Sequence, residues 1–273
     1  MTTPVLLIVA FLAACSHAGT PSRVPTTVPQ VDKPASQTLT IFAAASLTDA
    51  FSEMGQSFKA AHPGVIVALN FGGSQTLSTQ IVQGAAADIF ASANHTEMDK
   101  LVSADLVHKD APKDFLTNQL IVILPKDNPA AIQTLQDLTR SGLKLVLADA
   151  TVPAGKYARQ ILDTMSKDAT FGVDFGSLVL ANVVSNETDV KQVVAKVQLG
   201  EADAGIVYIS DAVATPEMKT INIPAKFNII ARYPIAVLNN ASQPGLASEF
   251  IAYVFSADGQ AILKKWGFTP IAP

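Results

Sequence analysis

The chain of 273 residues holds a single cysteine, Cys15, and only four histidines. One cysteine excludes an internal disulfide. His17, His62, His95 and His108 form no metal-ligand spacing with one another or with Cys15. Charge is sparse: Asp, Glu, Lys and Arg make up 15% of the residues, and the net charge of -4 argues against nucleic acid as a partner. No Gly-x-Ser-x-Gly elbow is present, since Gly73-Ser74 is followed by Gln75. Gly72-Gly73 alone is too little for a nucleotide phosphate loop. There is no repeat of fixed period and no heptad pattern. The apolar stretch at the start, residues 1–14, is too short to span a bilayer as a stable helix.

What is present begins with that stretch. Residues 1–14 are uncharged and mostly apolar and fit a signal-peptide core, although no Lys or Arg precedes them. They end in Leu12-Ala13-Ala14 before Cys15, which resembles the bacterial lipoprotein cleavage box, where the cysteine is lipidated. Residues 15–38 carry Pro21, Pro25, Pro29 and Pro34 among Ser, Thr, Ala and Val, without apolar period. This composition predicts an extended linker.

From residue 39 onward strand and helix patterns alternate, which predicts an α/β fold with largely parallel sheets. About 235 residues remain, enough for two lobes. Residues 39–44 read as a buried strand, and Leu47, Ala50, Phe51, Met54 and Phe58 then fall at helical spacing. Ser46 stands at the changeover as the expected N-cap, with Asp49 as its capping-box partner. Such a junction exposes first-turn N–H groups and the positive end of the helix dipole, which together can bind an anion. An ordinary serine cap would look the same.

The device recurs. A strand at 65–70 leads through Phe71-Gly72-Gly73 to Ser74 and a helical pattern at Leu77, Ile81 and Val82; the two glycines would let backbone approach a ligand. A strand at 143–148 leads through Val152-Pro153-Ala154-Gly155 to Tyr157, Ala158, Ile161 and Leu162. A strand at 178–184 leads through Ser185-Asn186-Glu187-Thr188-Asp189 to Val190, Val193, Val194 and Val197. Further strands are expected at 87–93, 120–124, 220–223 and 228–238, the last broken at Pro234. Further helices are expected from Thr96, over 131–138, after Pro244 and after Ser256.

Seven segments, in this order, resemble the molybdate-binding proteins of bacterial ABC importers, a type II periplasmic binding protein family. They are Phe42-Ala43-Ala44-Ala45-Ser46-Leu47-Thr48; Phe71-Gly72-Gly73-Ser74 with Thr76-Leu77; Ala87-Asp88-Ile89-Phe90-Ala91-Ser92-Ala93; Val152-Pro153-Ala154-Gly155; Thr188-Asp189-Val190; Gly205-Ile206-Val207-Tyr208; and Tyr233-Pro234-Ile235-Ala236. The resemblance covers essentially all of the chain after the linker. It implies a two-lobed α/β fold with mixed sheets, helices on both faces and a ligand cleft between lobes. Lobe one would be residues 39–118 plus 233–273, and lobe two residues 119–232. It implies no enzyme and no cofactor, but a monomeric, extracytoplasmic solute-binding lipoprotein, lipid-anchored through Cys15. Its ligand would be molybdate, with tungstate indistinguishable by size and charge, and its partners the permease and ATPase of an ABC importer. No metal is implied apart from the molybdenum of the oxyanion.

Carried over residue by residue, the resemblance puts the ligand contacts at Ser46, Ser74, Ala154, Val190 and Tyr208. Ser46 and Ser74 would each offer a hydroxyl and a backbone N–H, Ala154 and Val190 a backbone N–H, and Tyr208 its phenolic O–H. The chemistry is coherent. A fully deprotonated tetrahedral oxyanion only accepts hydrogen bonds, so a fixed cage of neutral donors selects by size and protonation state. Protonated phosphate would set its own donor against donors, and sulfate is too small to reach them all; each unmade buried bond is worth about 1–3 kcal/mol. Taken without the resemblance, Tyr208 reads better as a core tyrosine with a satisfied hydroxyl. Glu187 and Asp189 would repel a dianion and are expected to point to water. Two alternatives remain open: a sulfate or thiosulfate binder of the same fold, and an enzyme with Ser46 or Ser74 as nucleophile, for which no histidine supplies a base.

Overall fold

The computed structural model describes residues 37–271. The signal peptide, Cys15 and nearly all of the linker lie outside the described residues. Strand β1 (Gln37–Ala44) pairs in parallel with β2 (Val65–Gly72), Ile41 opposite Leu69; helix α1 (Thr48–Ala61) crosses between them. Helix α2 (Ser74–Val82) leads to β3 (Ile89–Ala91), which pairs with β1 on its other side, Ile41 opposite Ile89. Helix α3 (His95–Ser103) follows, capped by the Asn94 side chain, which accepts the Glu97 N–H. Strand β4 (Lys113–Asn118) completes this first pass.

One residue later, β5 (Leu120–Leu124) belongs to a second sheet. That sheet is built from β6 (Leu145–Ala148), α4 (Pro153–Ser166), α5 (Phe175–Ala181), β7 (Val183–Glu187), α6 (Val190–Gln198), β8 (Ala204–Tyr208), α7 (Ile209–Ala214) and β9 (Lys219–Asn222). Its strand order is β7-β6-β8-β5-β9. The chain returns to the first sheet with β10 (Ala231–Val237), then α8 (Pro244–Phe255), α9 (Ala257–Lys265) and β11 (Thr269–Pro270), giving the order β11-β4-β10-β3-β1-β2. Each sheet is mixed: β1–β3 and β6–β8 run parallel within their groups, while β10 and β5 run antiparallel to their neighbours.

Alternation along β1 explains its burial on both faces. Leu39, Ile41 and Ala43 join the core under α1 and α8, where Phe51, Phe58 and Phe250 meet edge to face or tilted. Phe42 points the other way and packs with Leu77, Ile81, Phe90 and Met98 beneath α2 and α3. The parallel strands β1, β2 and β6 thus end beside helix starts, the place where open α/β sheets bind ligands.

Residues 178–184 are not one strand: Leu178–Ala181 end α5, and the strand starts at Val183. Val179 follows Phe175 by four residues and both are buried, while Leu178 and Leu180 stay outside, so the short apolar run is one helical face. Residues 131–138 are not a helix either. The Asn128 side chain bonds both the N–H and the carbonyl of Ile132, and Asp137 accepts the N–H groups of Gln133 and Thr134. These side chains take the backbone partners a helix would need, leaving one tight turn at Gln136–Thr139. Pro234 does not break its strand; β10 continues through it with a register shift between Tyr233 and Pro234.

Candidate functional site

The five residues singled out by the sequence meet. Ser46, Ser74, Ala154, Val190 and Tyr208 line one small pocket. Ser46 and Ser74 follow β1 and β2 of the first sheet, while Ala154, Val190 and Tyr208 belong to elements of the second. No charged side chain lines the pocket. A larger groove bordered by Ala111, Asp114, Ile251 and Phe255 contains none of the five.

Each position offers a donor for a local reason. Ser74 opens α2, Val190 opens α6, and Ala154 follows Pro153 in the first turn of α4. First-turn N–H groups have no carbonyl one turn back to bond, and the helix dipole adds a positive field there. Pro153 suits its place because the first helical position needs no N–H. The Ser74 hydroxyl accepts the Ala93 N–H at 3.0 Å, deep in the fold. Its own proton is thereby free to be donated into the pocket. Among the described residues, the Tyr208 hydroxyl is buried and meets no partner in hydrogen-bonding geometry. Burial, together with the nearby Tyr233 and Tyr157 phenols, pushes its pKa well above the ordinary phenol value, so it stays a donor.

Ser46 does not cap α1. It lies in a tight turn, Ala45–Leu47, and α1 begins after it without a side-chain cap. The reason is a better partner: its Oγ shares a 2.9 Å hydrogen bond with the Tyr233 hydroxyl, in which either oxygen can donate. Asp49 is likewise no capping-box partner of Ser46. Its carboxylate accepts from Lys191 of α6 at 2.7 Å.

The acidic turn behaves differently from expectation in one half. Asp189 caps α6, accepting the Gln192 N–H at 3.1 Å. Glu187 does not point to water: it is buried and paired with Lys196 at 2.6 Å and with the Ser185 hydroxyl. Burial raises its pKa, but those two partners outweigh it and hold the carboxyl below the usual range. Its charge is thus neutralised within the second sheet's own elements. Of the two glycines before Ser74, only Gly73 answers a close approach. A Cβ there would stand 2.5 Å from the Thr188 carbonyl oxygen, across the cleft rather than toward a ligand; at Gly72 it would only touch Leu77.

Tyr233, Ala93, Lys191 and Asp211 stand beside the pocket residues without any local sequence signal for that place. Tyr233 stands in one of the seven resembling segments, next to a strand proline, but nothing local marks its hydroxyl. Asp211 is fully buried; one oxygen accepts the Tyr208 N–H at 3.1 Å, and the other faces Lys191 at 3.3 Å outside hydrogen-bonding geometry. Burial pushes its pKa up to about 6, against the pull of Lys191.

A pocket of neutral donors at helix starts, shared between two mixed sheets, has the chemistry to offer an anion hydrogen bonds. Comparison with known proteins agrees in kind. The family described as bacterial extracellular solute-binding protein matches residues 39–269. The molybdate-binding protein ModA of Mycobacterium tuberculosis is 40% identical over 263 residues, covering 96% of this chain and 94% of that protein. A putative ABC transporter substrate-binding lipoprotein of Bacillus subtilis, YvgL, is 30% identical over 85% of this chain and 86% of its own length. Among solved structures, the substrate-binding domain of a putative molybdenum ABC transporter from Clostridium difficile superposes with a TM-score of 0.63 at 32% identity, covering 86% of this chain and 100% of that one. With the match running from the first strand to the last, the chain belongs to the bacterial extracellular solute-binding proteins and is a binder, not an enzyme.

Proposed function

We propose that the chain captures molybdate outside the cytoplasm and delivers it to an ABC importer, and that it takes tungstate equally. The observation that carries this is the donor set: three hydroxyls and three first-turn N–H groups around one small pocket, with no charged side chain lining it. A dianion without protons matches such a cage oxygen by oxygen. The names of the Mycobacterium and Clostridium relatives point to the same ligand. In this reading Ser46, Ser74 and Tyr208 donate hydroxyl protons, and Ser46, Ser74, Ala154 and Val190 donate backbone N–H groups. In the same reading, residues 119–232 form the second lobe and residues 39–118 plus 233–273 the first. The mature protein works as a monomer tethered to the membrane by lipid on Cys15.

Titration calorimetry with molybdate, tungstate, sulfate and phosphate tests the ligand. Molybdate and tungstate should bind alike and raise the melting temperature; excess at a hundred times Kd stabilises by about 2.7 kcal/mol. Sulfate and phosphate should bind far more weakly. Sulfate binding as tight as molybdate would replace this reading with a sulfate carrier.

A further inference from the structure

Beside the neutral cage stands a charged cluster that the binding chemistry does not use. Lys191 follows Val190 in the first turn of α6, and its ammonium lies 2.7 Å from Asp49 and 3.3 Å from Asp211. The two carboxylates belong to different sheets' elements: Asp49 to α1, Asp211 to α7. Asp211 is wholly buried and tied to the Tyr208 backbone, so the Lys191–Asp211 pair is internal to the second lobe. Of the two Lys191 pairs, the one with Asp49 crosses the cleft. Burial pulls the Lys191 pKa down, but the two carboxylates outweigh it and keep the ammonium charged.

We infer that Lys191 is a closure latch: held in the second lobe by Asp211, it fastens Asp49 of the first lobe when the cleft shuts, and so slows ligand release without touching the ligand. First, desolvation normally cancels much of the gain of a buried ion pair. Here Asp211 already keeps Lys191 partly desolvated, so adding Asp49 incurs little further cost. Second, the latch sits where it can act. Lys191 adjoins Val190, Asp211 grips Tyr208, and Asp49 lies one turn beyond Ser46, so the pair fastens elements carrying three of the five pocket residues. A neutral contact also crosses the cleft, from Gln75 Nε2 to the Thr188 carbonyl at 3.0 Å. Third, a contact that breaks only on opening acts on dissociation and leaves capture by the open form almost unchanged.

The inference rests on the molybdate reading for its probe. Stopped-flow association and dissociation of molybdate would be measured for wild type, Asp49→Asn, Lys191→Met, Lys191→Arg and the Asp49→Asn/Lys191→Met double variant. Each neutralising variant should raise koff about three- to tenfold and change kon less than twofold, in keeping with a partly exposed ion pair. The double variant should be no faster than the faster single, because the pair is lost once. Lys191→Arg should stay near wild type. Added salt should speed release from wild type and leave the neutral variants flat. Unchanged koff in both singles, or effects that multiply in the double, would overturn the latch. If wild type takes up no molybdate in calorimetry, the ligand reading fails by itself. X-ray scattering of the ligand-free proteins then decides the latch: a larger radius of gyration in both singles supports it, and equal radii overturn it.

Discussion

Tyr208→Phe separates a binding residue from a core residue by the sign of two effects. The Tyr208 ring is packed edge-on to Tyr233 at 5.9 Å and is almost wholly inaccessible. Its hydroxyl is buried and unpaired among the described residues. An unsatisfied buried polar group costs about 1–3 kcal/mol. Removing the oxygen relieves that cost and forfeits little packing, so the ligand-free variant should be more stable, by about 1 kcal/mol. For a folded body of this size, that is a rise of about 2–4 °C in melting temperature.

Binding should move the other way. A hydroxyl donating to an anion contributes about 1.5–3 kcal/mol, so molybdate affinity should fall about ten- to a hundredfold. Differential scanning calorimetry without ligand and titration calorimetry with molybdate give the two numbers on one preparation. A core tyrosine with a satisfied hydroxyl gives the reverse pattern, a lower melting temperature at unchanged affinity. That pattern would refute the assignment of Tyr208 to the cage.

Other perturbations distinguish the remaining donors. Ser46→Ala and Tyr233→Phe each break the buried 2.9 Å bond between them. Both should lower stability, but Ser46→Ala should weaken molybdate about ten- to a hundredfold while Tyr233→Phe costs less, since only Ser46 lines the pocket; equal losses in calorimetry would make Tyr233 a ligand contact. Ala154→Pro removes an N–H and should weaken binding far more than Ala154→Gly, which keeps it; equal affinities would exclude this backbone donor. Membrane fractionation should find wild type with lipid and Cys15→Ala in the soluble fraction, and equal membrane association would end the lipoprotein reading. Asp211, raised to about 6 from an ordinary 3.8, binds its proton more tightly folded than unfolded. Its contribution to stability is therefore present below about pH 4 and lost as pH rises through about 6. Urea titrations of wild type and Asp211→Asn should differ by an amount that shifts in the variant's favour between pH 4 and pH 7, by on the order of 3 kcal/mol at most; a pH-independent difference would place the Asp211 pKa in the ordinary range.

The alternation of strand and helix is legible because these strands are short, apolar and β-branched and the helices carry a clear apolar stripe. Leu39 to Ala44 and Leu120 to Leu124 can hardly be anything else. The errors fall where local signals compete. Phe175 to Val184 holds enough apolar residues for either structure, and only the core beneath Val179 decides. Residues 131–138 have helical spacing, but Asn128 and Asp137 bond the backbone first. The five pocket residues are legible through resemblance to a family; periodicity marks only that polar or small residues stand at several helix starts.

What no local pattern carries is the pairing of distant groups. Ser46 and Tyr233 are 187 residues apart in sequence, and Asp49 and Lys191 are 142 apart. Both pairs draw a residue away from the role its neighbours predict: Ser46 from capping α1, Asp49 from completing a capping box. The helix start thus has no side-chain cap from either residue, and the Ser46 hydroxyl stays at the pocket. The same logic disposes of the acidic turn. Glu187 is neutralised by Lys196 behind the pocket, and Asp189 is absorbed in capping α6, so neither carboxylate presents charge to the cavity. In the proposed reading, selectivity for a proton-free oxyanion would follow from two arrangements together: donors aimed into the pocket, and acceptors consumed outside it.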